Sequence, residues 1–142
     1  MVHHATNPGF EEELRRSFSK QIVMALIGAE LTRVEPGIVE ITLPYRDDLT
    51  QQHGYVHAGI ITTIADSACG YAAYTLMPPG SDVLAVEFKV NLLRPAKGER
   101  FVATAEVVKS GRTLTVVRAD VQAVSGAQRE LVAIMQSTMM RL

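Results

Sequence analysis

The sequence predicts an α+β fold in which an antiparallel sheet of about six strands wraps one long central helix, with an extra helix at the N-terminus. Three observations carry that expectation. Hydrophobic residues recur with a helical period up to residue 27, and a long apolar run follows from about Ala58 to Met77. Most of the remaining chain reads as strands, divided at short intervals by turns rich in glycine and proline, which suits antiparallel neighbours. The order strands, helix, strands leaves a single sheet for the central helix to pack on, so one face of that apolar helix needs another cover. A second copy of the chain would supply it.

The first helix is read from its ends. Asn7 suits a cap, Pro8 the first helical position, and Glu11, Glu12 and Glu13 the positive end of the dipole, with Arg15, Arg16 and Lys20 further on. Phe10, Leu14, Phe18, Ile22 and Leu26 form one apolar stripe, so residues 1–27 read as a helical extension of a single domain spanning 1–142. Residues 29–35 and 37–45 are predicted strands joined at Glu35-Pro36-Gly37. The apolar helix stops at the breaker Met77-Pro78-Pro79-Gly80-Ser81. Four strand-like runs follow, at 82–93, 99–109, 112–124 and 129–141, and the turns PAKGE, KSGR and SGAQ between them predict an antiparallel meander. In the third run Thr113, Thr115, Val117, Ala119, Val121 and Ala123 alternate with Leu114, Val116, Arg118, Asp120 and Gln122, giving one dry and one partly wet face.

Composition removes several functions. Fourteen Lys and Arg stand against 15 Asp and Glu, so no basic surplus exists to hold a nucleic-acid backbone. A single cysteine, Cys69, supports neither a disulfide framework nor a thiolate zinc site, and MVHHATNPG lacks a signal-peptide pattern, which makes the cytoplasm the expected location. The run from Ala58 to Met77 carries Asp66, three threonines and a serine, and is read as a buried helix, not a membrane span. His53 and His57 stand four apart with Gly54 between and no further ligand nearby, so no metal site is expected. Neither a Gly-x-Ser-x-Gly elbow nor a phosphate-binding glycine loop occurs.

Asp66 is the residue that asks for chemistry. An isolated acid in a helix usually marks a solvent face, but no other charge lies between Val56 and Pro79. Its helical neighbours Gly59, Thr62, Thr63, Cys69, Gly70 and Ala73 are all small, which leaves room above it for a ligand or a closely packed helix. A partly buried carboxylate with a raised pKa suits a general base or a nucleophile. At the helix start, Ala58 and Gly59 present amides without intrahelical partners, suited to a developing oxyanion. Gln51, six residues before His57, offers a further donor, while His57 is expected to shape the turn. The rise from Gly59 to Asp66 is about 10 Å, too far for one catalytic centre. Two such helices packed antiparallel about a two-fold axis would bring the start of each towards Asp66 of the other, so an obligate homodimer is expected.

The order His57-Ala58-Gly59, Asp66 within an apolar helix, then VEFKVNLLRPAKGE and KSGRTL resembles the hotdog-fold acyl-CoA thioesterases of the phenylacetate-degradation (PaaI-like) type, related to the 4-hydroxybenzoyl-CoA thioesterases. The resemblance covers about residues 25 to 142. It implies a sheet wrapped around the long helix, dimers that often pair into tetramers, and thioester hydrolysis without metal or cofactor, coenzyme A being part of the substrate. By position it makes Asp66 the base or nucleophile, the Ala58 amide beside Gly59 the group that polarises the carbonyl, and Gln51 the amide-bearing residue. Ala58 stands where the family usually has a first glycine, and Ala85 where some relatives place a serine that helps position water. For the coenzyme A phosphates it points to Arg94, Ala96 and Lys97 in one turn and Gly111 and Arg112 in another, with Arg100 and Lys109 close by. Two other functions fit the same fold: a hydroxyacyl thioester dehydratase, for which His57 is the one candidate base, and an acyl-CoA-binding protein without catalysis.

Overall fold

A computed structural model describes residues 1–142. Helices α1 (Phe10–Lys20) and α2 (Ile22–Ile27) precede strands β1 (Glu30–Glu35) and β2 (Ile38–Pro44). A short 3-10 turn at Asp47–Leu49 leads into α3 (Ala58–Tyr74), and β3 (Val83–Leu92), β4 (Arg100–Ser110), β5 (Leu114–Ser125) and β6 (Gln128–Arg141) follow. All six strands join one antiparallel sheet in the order β1-β2-β4-β5-β6-β3, which wraps α3 in a hotdog fold.

The strand alternation is realised on β5: Thr115, Val117, Ala119, Val121 and Ala123 are buried against α3, while Leu114, Arg118 and Asp120 face outward. From α3, Ile61, Ile64, Ala65, Ala68 and Ala72 complete that interface, their mostly small side chains letting helix and sheet approach closely. Leu14, Met24 and Ile27 belong to the same core cluster, so the N-terminal helices are packed into the fold and not merely appended to it. The β1–β2 hairpin turns at Gly37 with φ +76°, and a β-carbon there would strike the His3 ring. The Gly37 N–H donates to Thr75 Oγ1 (2.7 Å), tying this hairpin to the end of α3. No helix is long and apolar enough to cross a membrane.

Two expectations are corrected. The four later strands do not form a simple meander, because β3 pairs with β6 at the sheet edge and only β4, β5 and β6 are consecutive neighbours. The segment read as a tight turn instead crosses the end of the sheet: Leu93 N–H donates to Val132 O (2.8 Å) and the Ala96 carbonyl accepts from Val56 N–H (3.0 Å). Passing from β3 to β4 spans three strand spacings, about 14 Å, which residues 93–99 cover when extended. The N-terminal helix also departs from one continuous stripe. It begins at Phe10, with Asn7 Oδ1 accepting from Gly9 N–H (2.9 Å) in a preceding turn, and it breaks at Gln21, which is extended (φ −79°, ψ 94°). The break rotates the second half. Met24 and Ile27 enter the core, while Ile22 and Leu26 are 83% and 69% exposed.

Candidate active site

Asp66 sits midway along α3, beside the start of the edge strand β3. It opens into a recess of about 460 Å³ walled by Ser17, Gln21, Ser67, Tyr71, Ala85 and Met139. Its Oδ1 is buried without a hydrogen-bond partner. Burial raises the Asp66 pKa above the ordinary aspartate value, since no cation or donor offsets the lost hydration. One turn on, burial and the Asp66 charge push the Cys69 thiol far up, so Cys69 is inert as a nucleophile. A carboxylate exposed to a cavity yet deprived of donors is poised to take a proton or to attack an electrophile.

The start of α3 lies in a second recess, of about 530 Å³, lined by Gln51, Tyr55, His57, Ala58, Leu92 and Arg94 among others. His57 is the N-cap: its Nδ1 accepts from Gly59 N–H at 2.8 Å. That bond changes the amide inventory. Gly59 is expected from sequence to offer a free N–H, but the His57 ring uses it, and Ala58 N–H is left as the unpaired donor of the first turn. An Nδ1 that accepts leaves the proton on Nε2, so neither ring nitrogen of His57 holds a free lone pair. Gln51 Oε1 accepts from His53 N–H (2.6 Å) and Tyr55 N–H (3.3 Å), which fixes the loop and leaves its NH₂ as an uncommitted donor beside the recess. The two recesses are separate within one chain, with Asp66 in the first and Ala58 and Gln51 in the second. No three His, Cys, Asp or Glu side chains converge to hold a metal ion.

The family model of the thioesterase superfamily matches residues 53–129, more than half of the chain and both the start of α3 and Asp66. The chain belongs to the thioesterase superfamily. A crystal structure of a thioesterase family protein from Silicibacter pomeroyi is 52% identical to this thioesterase and superposes with a TM-score of 0.93, covering 94% of this chain and 98% of that one. The PaaI protein of E. coli, from the phenylacetic acid degradation operon, shares the fold at a TM-score of 0.84 with 19% identity, covering 94% and 93% of the two chains. A 1,4-dihydroxy-2-naphthoyl-CoA hydrolase of Listeria monocytogenes is 29% identical over 90 residues, 63% of this chain and 73% of the relative. These likenesses make the protein a hydrolase and give its hotdog fold; they do not assign its side chains.

In this thioesterase the basic residues expected for coenzyme A fall into two groups. Arg94 and Lys97 lie at one end of the sheet, where Arg94 pairs with Glu130 and Arg129 stands nearby. Gly111 and Arg112 form the β4–β5 turn at the other end, about 33 Å away along β4. One protomer therefore does not bring Arg112 to Arg94. Ala96 is buried with its carbonyl bonded to Val56, and the Gly111 N–H donates to Leu114 O (2.8 Å), so both shape their turns. Sequence reasoning missed the polar wall beside Asp66. Ser17, Gln21, Ser67 and Tyr71 meet there from segments far apart in the chain, and the uninterrupted apolar stripe of the N-terminal segment gave no sign of it.

Proposed function

We propose that this thioesterase hydrolyses acyl-CoA thioesters in a site shared by two protomers, with Asp66 of one facing Ala58 and Gln51 of the other. The observation that carries this reading is the pair of incomplete recesses: a buried carboxylate with no partner in one, an unpaired helix N-terminal amide in the other. In the dimer Asp66 acts as base or nucleophile towards the thioester carbon. The Ala58 amide and the Gln51 NH₂ donate to the carbonyl oxygen as it gains charge, and each such donor is worth on the order of 10²–10³ in rate. The thiolate of coenzyme A leaves without needing a metal, because a thiol is a far better leaving group than an alcohol or amine.

The edge strand supports the pairing. On β3, Leu84, Val86 and Phe88 are 54%, 50% and 47% exposed, and a long apolar edge with open ladder groups invites a second strand. Antiparallel pairing of β3 with its copy also reverses the sheet ends, which brings the Arg112 end of one protomer beside the Arg94 and Lys97 end of the other. In that arrangement cations from both protomers flank the proposed shared site and are available to the phosphates of coenzyme A. The dehydratase alternative finds no support in His57, whose two nitrogens are committed to the cap and to a proton. A thiol-release assay across aliphatic and aromatic acyl-CoAs tests the proposal. Release by the wild type and none by Asp66→Asn is expected; binding of acyl-CoA without release by the wild type contradicts it.

A further inference from the structure

We propose that Gln21, carried by the N-terminal extension, and Ser67, the neighbour of Asp66, form a positioning pair that orients the attacking water. This rests on Asp66 acting as the base of the thioesterase. On α3 the hydroxyls of Thr62 and Thr63 donate back to the carbonyls of Ala58 and Gly59, both at 2.8 Å. Ser67 does not follow them. Its Oγ donates to Gln21 Oε1 at 2.8 Å, across the interface between the extension and α3. A hydroxyl has one hydrogen and two lone pairs, so this bond leaves Ser67 Oγ a pure acceptor on the wall of the recess that holds Asp66.

Gln21 is itself held. Its Nε2 donates to Tyr71 Oη at 3.1 Å, and Tyr71 Oη shares a second hydrogen bond with Ser17 Oγ at 3.2 Å. The extended backbone at Gln21 that separates α1 from α2 is what lets one amide reach both Ser67 and Tyr71. The extension lies outside the matched residues 53–129, so a segment beyond the family-defining part of the chain reaches the candidate site.

The chemistry needs such an acceptor. A water attacking the thioester carbon has two hydrogens: Asp66 takes one as the C–O bond forms, and the other must be held so that the oxygen lone pair points at the carbon. Ser67 Oγ accepts that second hydrogen without removing it. The tetrahedral intermediate then expels the thiolate, the C–S bond breaks, and the proton on Asp66 passes to sulfur, giving one acid and one thiol from one thioester and one water. Across the recess Ala85 and Met139 offer no competing hydrogen-bonding group.

The test is steady-state kinetics of Ser67→Ala, Gln21→Leu and the double variant on one acyl-CoA that the wild type hydrolyses, with Ser67→Thr as the conservative control and thermal melts to verify folding. Each single variant is expected to lower kcat about 10- to 100-fold with KM changed by no more than about threefold. The double variant should be no worse than Ser67→Ala, because both act through one hydroxyl, and Ser67→Thr should recover most of the rate. Ser67→Ala folds even if Gln21→Leu does not, since alanine suits a helix interior. Wild-type kcat in Ser67→Ala, losses that multiply in the double variant, or ¹⁸O from labelled water appearing in the Asp66 carboxylate after a single turnover would each overturn the proposal. A wild type that releases no thiol from any acyl-CoA instead overturns the thioesterase reading and this one with it.

Discussion

At the scale of the residue, the role proposed for Asp66 sets function against stability. Its pKa is raised by burial, so in the window between the ordinary aspartate value and the raised one the folded chain keeps a proton that the unfolded chain has lost. Stability from this group is complete below the ordinary value, falls as pH rises through that window, and stays reduced above it. Asp66→Asn removes the buried charge. It is therefore predicted to melt at a higher temperature than wild type at pH 7, by roughly 2–4 °C for each kcal/mol relieved, while losing at least about 10³ in kcat/KM. A calorimetric scan and a thiol-release assay on one preparation check both halves. In the proposed mechanism the same carboxyl must be ionised to act, so kcat/KM is predicted to rise with pH through the raised pKa and then level off; a profile flat down to the ordinary aspartate range would contradict it. Asp66 was legible in the sequence because no other charge interrupts the apolar run around it. The use made of the Gly59 amide was not, since histidine is not among the usual capping residues.

At the scale of the element, α3 does two jobs with its two halves. Its first turn is organised by His57, and losing that cap is predicted to cost about 1 kcal/mol. His57→Ala should show this in chemical denaturation and also lose activity, because the Ala58 amide then loses the turn that fixes it, whereas His57→Asn should restore much of the stability. The helix, the first hairpin and the alternation of β5 were all readable from local pattern, which their burial obeys. The break at Gln21 was not. It is set by bonds to Ser67 and Tyr71, 46 and 50 residues away, and a periodic stripe carries no trace of such partners. The placement of β3 escaped for a related reason: a loop of the length of residues 93–99 serves as a hairpin or as a crossing of the sheet end, and the choice lies with Ala96 docking under the start of α3.

At the scale of the whole molecule, the proposed dimer gives each chain one half of two identical sites, with the exposed edge strand β3 as the seam. Phe88→Glu places a charge on that apolar edge and is predicted to shift the protein to monomer in size-exclusion chromatography with hydrolysis lost in proportion; a fully active monomer would refute a shared site. The most direct measurement mixes two inactive variants. Ala58→Pro deletes the one unpaired amide of the first turn yet suits the first helical position, and His57 already has the extended backbone (φ −59°, ψ 137°) that a following proline requires. Asp66→Asn deletes the proposed base. Unfolded together and refolded as an equal mixture, the two are predicted to regain about a quarter of the wild-type rate, because half of the dimers are mixed and each mixed dimer holds one intact site. A mixture as inactive as its two components would show that Asp66 and Ala58 serve within one chain, and would contradict the account.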